Sequence, residues 1–172
     1  TTSWVFGGYG YDYIGNVGYL QDLWKYDITG NTWTWMKGNN TIAQLGNYGT
    51  LGTTSVTNKP SARIYPVTWT DASGSTLFLF GGYGYDGAGN IGYLNDLWKY
   101  DVASNNWTWI SGTNIYFSPG YYGTLTVGSA TTVPGARDAS ASWSDASGNL
   151  WLFGGFGNTI SSFTTGYLND LW

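Results

Sequence analysis

The chain has 172 residues, with 27 Gly, 15 Tyr, 11 Trp and 7 Phe but no Cys, His or Glu, so its ten acids are all Asp against six Lys plus Arg, a net charge of −4. These absences exclude the usual zinc ligand set, a Ser-His-Asp or Cys-His nucleophile pair and a disulfide framework. With only 9% charged residues the chain lacks the basic footprint of a nucleic-acid binder, and no apolar run is long enough for a membrane-spanning helix.

Gly is about twice as frequent as in an average protein. Strand formers (Trp, Tyr, Phe, Val, Thr) dominate over helix formers, which predicts an all-β fold. The aromatic content argues against disorder. Low charge with much Thr, Ser, Asn and Gly suits an extracellular or cell-surface protein. The sequence opens at Thr1 without a signal peptide, so any export signal is expected to have been removed or to lie outside it.

A repeat of 74 residues organises the chain. Phe6 to Asp12 recurs as Phe80 to Asp86, Leu23 to Asp27 as Leu97 to Asp101, and Trp33-Thr34-Trp35 as Trp107-Thr108-Trp109. Asp22-Leu23-Trp24 returns twice more, ending at Trp98 and Trp172. One slip occurs: the turn before Phe153 is a residue short, and the loop after it restores the register.

In chain order, residues 1–38 predict strands two to four of one unit and 39–59 a long connection. Residues 60–112 predict a complete four-stranded unit, 113–133 a second long connection, and 134–172 strands one to three of a third unit. Within the complete unit, strand one is expected over 62–70, followed by a hairpin turn at Asp71-Ala72-Ser73-Gly74. Strand two covers Leu77 to Phe80, whose unbroken apolar run predicts cover on both faces. Gly81-Gly82 follows, suited to close backbone approach. Strand three is Asp96 to Asp101 and strand four Trp107 to Ile110.

Gly-Gly after strand two, Tyr-Asp after strand three and a Trp some six residues later resemble the kelch repeat. The matching residues are Gly7-Gly8, Tyr26-Asp27 and Trp33, then Gly81-Gly82, Tyr100-Asp101 and Trp107, with Gly154-Gly155 in the third unit and a Pro-x-x-Arg opening at Pro60 to Arg63 and Pro134 to Arg137. The resemblance implies a β-propeller of four-stranded antiparallel blades, of which this chain would cover one full and two partial blades. A kelch repeat has about 50 residues, so about 24 extra fall in loops, near 83–93 and 111–133. Both would emerge on one end of the blades, and such insertions often mark the binding face. A closed ring needs at least four blades, so further blades of the same polypeptide, or further copies of the chain, are expected partners.

Recurring acids are expected to be structural: Asp71 and Asp101 in turns, Asp22, Asp96 and Asp170 before Leu-Trp. Asp12 with Asn16, and Asp86 with Asn90, lie in hairpin loops. They suit loop ordering or ligand contact better than a calcium loop, which needs more acids and a Glu. Asp138 replaces Ile64 and is the one unrepeated acid. With Arg137 it could hold a polar ligand, or the two could pair. The repeated strand Trp residues are expected as core. Loop aromatics Tyr11, Tyr48, Tyr83, Tyr85, Tyr121, Tyr122 and Phe156 are the better ligand candidates, or else pack the loops together.

Some kelch proteins are enzymes. Galactose oxidase uses a copper site with His, Tyr and a Tyr–Cys link, which this chain lacks the residues to form. The expected role is therefore non-enzymatic recognition or adhesion on a protein or glycan ligand, with no metal or cofactor. A structural component of a surface layer or filament, and a non-catalytic part of a larger kelch enzyme, are the alternatives.

Overall fold

The computed structural model describes residues 2–159 and 164–172. The loop that restores the repeat register includes 160–163, outside the described residues. The described residues form an all-β arrangement of four antiparallel sheets, one each in the first two sequence repeats and two in the third.

The first sheet contains β1 (Thr2–Tyr11), β2 (Val17–Asp27) and β3 (Thr32–Lys37) in that order. The middle sheet contains β4 (Arg63–Ile64), β5 (Val67–Thr70), β6 (Thr76–Tyr85), β7 (Ile91–Asp101) and β8 (Asn106–Ser111). Its first strand, expected as one piece, is two: β4 and β5 both pair with β6, with a break at Tyr65, whose φ is 51°. In the third unit β9 (Arg137–Asp138) and β10 (Ala141–Ser144) break at Ala139 in the same way. They pair with β12 (Phe156–Asn158) and β11 (Leu150–Phe153) respectively, and β13 (Thr165–Tyr167) pairs with β12.

The second strand runs further than expected. β6 continues through Gly81-Gly82 to Tyr85, with a register shift between Phe80 and Gly82. Residues 83–85 and 91–93, expected in a long loop, are ladder-paired, so the connection shrinks to the hairpin tip 86–90. The alternation of Tyr with Gly is what permits the pairing. A Cβ on Gly84 would run into the Ala62 carbonyl and the Arg63 backbone, so only a bare backbone lets β4 lie against β6 there.

Two inter-sheet cores hold the units together. Leu77, Leu79, Trp98, Tyr100 and Trp107 meet Leu23, with Trp4, Phe6 and Met36 of the first sheet packed alongside. Val67, Trp69 and Phe80 meet Leu152 of the third unit. The Trp69 indole donates across this second boundary to the Trp151 carbonyl at 3.1 Å. Burial of apolar faces on both sides explains the unbroken Leu77-Phe78-Leu79-Phe80 run.

Gly81 sits at φ +61°, where a Cβ would meet the Arg137 carbonyl of the next unit at 2.6 Å and the Leu94 carbonyl at 2.9 Å. Gly74, in the β5–β6 turn at φ +72°, has open space around it. Gly74→Ala should therefore cost about 1 kcal/mol from backbone strain alone. Gly81→Ala should cost about 3 kcal/mol, because the clash adds to that strain. Urea denaturation midpoints of the two variants check this ordering.

Candidate functional site

The most heavily built polar centre is internal. Arg63 is fully buried, and its guanidinium meets Asp96 in a fork, Nη1 to Oδ1 at 2.6 Å and Nη2 to Oδ2 at 2.7 Å. Its remaining N–H groups donate to the Gly81 carbonyl, the Ser61 carbonyl and the Ser61 hydroxyl. Asp96 Oδ2 also accepts the Tyr48 hydroxyl and the Trp98 indole N–H, both at 2.7 Å. Burial alone would lower the Arg63 pKa, but attraction to Asp96 raises it. The Tyr48 phenol is pushed well above its ordinary value by burial and then by the Asp96 charge.

The third unit repeats the arrangement. Arg137 pairs with Asp170 at 2.6 and 2.8 Å, while Tyr122 and the Trp172 indole each donate to Asp170 at 2.7 Å. In the first sheet the Trp24 indole donates to Asp22 at 2.6 Å. Three of the candidate ligand residues belong to these centres. Arg137 is fully buried and pairs with Asp170 rather than with Asp138, so its guanidinium lies away from the surface. Tyr48 is buried under Trp98 and Trp109. Tyr122 is exposed on one side, but its hydroxyl is engaged with Asp170.

At the hairpin tips the carboxylates order backbone. Asp12 Oδ1 accepts N–H groups of Ile14 and Asn16, and Oδ2 accepts the Asn16 amide and the Ile42 N–H. Asp86 accepts from Ala88, Asn90 and Tyr116 in the same pattern. In both, burial raises the carboxyl pKa, and these donors together overcome it and lower it. Because Asp12 reaches Ile42 and Asp86 reaches Tyr116, each hairpin tip is tied to the start of a long connection. The two loop types therefore lie side by side. Asp12, Asn16, Asp86 and Asn90 are accordingly loop-ordering residues, with both carboxylates buried.

The remaining candidates stay at the surface of this loop end. Tyr11 is 76% exposed, and Tyr121 is exposed beside its bridge partner Val133. Tyr83, Tyr85, Phe156 and Asp138 are half-buried. The sequence reading missed Tyr19, Tyr93 and Tyr167, which lie directly opposite Tyr9, Tyr83 and Phe156 on the neighbouring strands. Their signal is a Gly-Tyr-Leu triplet at 18–20, 92–94 and 166–168, which carries meaning once the second strand is known to extend past its glycines.

No family model matches the chain, and no curated protein matches it. Among solved structures, "Structure of YjhT" aligns with a TM-score of 0.50 at 16% identity over 88% of this chain. The chain spans only 34% of that structure's length. At this identity the likeness is one of fold alone.

Asp96→Asn removes one partner of a buried ion pair and leaves the Arg63 charge uncompensated. It should destabilise the protein by about 3–5 kcal/mol, and Tyr48→Phe by about 1.5–3 kcal/mol through loss of a hydrogen bond to a charged acceptor. Chemical denaturation of both variants measures these losses.

Two turn carboxylates generate a pH prediction. Against the slight burial that raises it, N–H and hydroxyl donors from Thr76, Ser75 and Ser73 lower the Asp71 pKa from 3.8 to about 2. Asp145 is lowered to about 2 by the Asn149 amide and the Trp151 indole. A depressed folded-state pKa means that the unfolded chain binds more protons in this window. The stability from these turns is complete above the unfolded value of 3.8 and is lost as pH falls towards about 2. Denaturation midpoints of the Asp71→Asn, Asp145→Asn double variant should fall less steeply between these pH values than those of the wild type.

Proposed function

We propose that the chain is part of a kelch-type β-propeller, its three repeat units being successive blades, and that it serves as a non-enzymatic extracellular recognition module. Its ligand, a protein or a glycan, binds the end carrying the hairpin tips and long connections. The blade reading is supported by the strict repeat, the split first strands and the two inter-sheet cores. The low charge and polar, uncharged surface chemistry support an extracellular setting.

The observation that carries the binding reading is the concentration of exposed tyrosines at this end, Tyr9, Tyr11, Tyr13 and Tyr121 among them. Tyr combines large contact area with few rotatable bonds, so it binds at low entropic cost. The recurring acids there are engaged in loop order, which leaves no pair of free carboxylates of the kind a glycosidase uses.

A glycan array and a protein-interaction screen on the wild-type protein, each repeated with Tyr11→Ala and Tyr121→Ala, test the reading. The expected result is at least one ligand whose binding weakens by about tenfold or more in a variant. If every ligand found is indifferent to both substitutions, the loop end is not the binding face.

A second reading is self-assembly through sheet faces. Trp33 is 55% exposed whereas its repeat equivalent Trp107 is 2% exposed, and Trp143 is likewise exposed where Trp69 is buried. Sedimentation at increasing concentration separates the two: assembly predicts a rising mass that Trp33→Ser abolishes.

A further inference from the structure

Strand register sets six rings in a line along the loop end of the three units. Tyr9 faces Tyr19, Tyr83 faces Tyr93, and Phe156 faces Tyr167. Ring centroids within these pairs lie 5.5, 5.0 and 5.1 Å apart. The pairs connect across the sheet boundaries, Tyr19 to Tyr83 at 6.3 Å and Tyr93 to Phe156 at 5.7 Å. The belt is therefore continuous over all three units.

Directly opposed residues on paired strands project from the same face. One strand inward from the belt, Ile64 opposes Tyr83 and Asp138 opposes Phe156. The belt's row thus ends on an aliphatic residue in the middle unit and on a carboxylate in the third. Asp138 is half-buried, and unlike the other nine acids it has no paired cation and no hydrogen-bond donor among the described residues except its own backbone N–H. Partial burial holds its carboxyl above the ordinary range, and its charge adds to burial in raising the Tyr93 phenol. A carboxylate left this way beside aromatic faces is complementary to an ammonium group, which both the charge and the rings attract.

Resting on the recognition reading above, we propose that this belt binds a glycan bearing a basic amino sugar. The ammonium sits on Asp138 and neighbouring pyranose rings lie along Phe156, Tyr167 and Tyr93. A sugar ring offers a C–H face for an aromatic ring and hydroxyls for the Tyr hydroxyls. A chain of such rings uses a belt that a single lysine side chain, needing one ring and one carboxylate, leaves empty.

The test titrates the protein with the glucosamine tetramer and with its N-acetylated counterpart, which differ in charge but not in ring number. Wild type should bind the free-amine tetramer roughly tenfold more tightly. Asp138→Asn, and Asp138→Ile with the residue the middle unit already carries, should abolish that preference by weakening the free-amine tetramer about tenfold. Tyr93→Ala should weaken both. A preference that survives both Asp138 variants overturns the proposal, as does failure of the free-amine tetramer to bind. Equal binding of both tetramers by the wild type sinks the amino-sugar assignment but leaves the recognition reading standing. A lysine tetrapeptide that binds as tightly as the amine tetramer, and depends on Asp138, overturns it in favour of a protein ligand.

Discussion

A guanidinium without water governs this molecule. Arg63 has no exposed surface, and a buried charge is tolerated only when paired and fully hydrogen-bonded. Its partners come from far apart in the chain: Asp96 from the third strand, Gly81 from the second, and Ser61 from the start of the first strand. Tyr48 joins them from the middle of a long connection. One ion therefore ties three strands and a loop to a single point. The same requirement fixes residue types. The acid before Leu-Trp must be short enough to meet the fork, and the Trp two residues on must aim its N–H back at the same oxygen. The third unit repeats the ion pair and its Tyr and Trp donors with Arg137, Asp170, Tyr122 and Trp172, while Gly135 stands where Ser61 does.

Much of the architecture is visible in the sequence because repetition does the work of comparison. The all-β class, the turn carboxylates and the doubly covered Leu77 to Phe80 strand all follow from pattern and turn chemistry. Two things are hidden for physical reasons. The second strand extends past its glycines because Gly84 admits a backbone that a side chain would exclude, a fact about close approach that local pattern reads as a loop. The role of Tyr48 depends on an acid 48 residues away. Its recurrence as Tyr122 says that it matters, not that it turns inward. Tyr19, Tyr93 and Tyr167 were missed for the first of these reasons, since their pairing with Tyr9, Tyr83 and Phe156 requires the extended strand.

Repetition also separates frame from function. Most recurring polar residues hold strands and loops in place, as the two arginine centres and the Asp12 and Asp86 tips show. What differs between equivalent positions is available for recognition. Asp138 in place of Ile64 is the clearest such departure. It falls where the aromatic rows meet, at the end of the molecule from which the exposed tyrosines project. The proposed glycan site and the proposed recognition face thus arise from one pattern, a repeated aromatic surface altered at one position.

The near-identity of the units has a further consequence, in how the chain sorts itself while folding. β2 and β7 differ at only two of eleven positions, Val17 against Ile91 and Gln21 against Asn95. Strands this alike are interchangeable partners for β1 and β6, and exchange between similar units is a characteristic misfolding route of repeat proteins. Val and Ile discriminate poorly. Position 21 is different: the longer Gln21 amide reaches the Leu45 and Pro60 carbonyls, whereas Asn95 reaches Pro134. In the wrong sheet either amide would be a methylene too long or too short for its buried acceptors. A single CH₂ thus helps each copy recognise its own place.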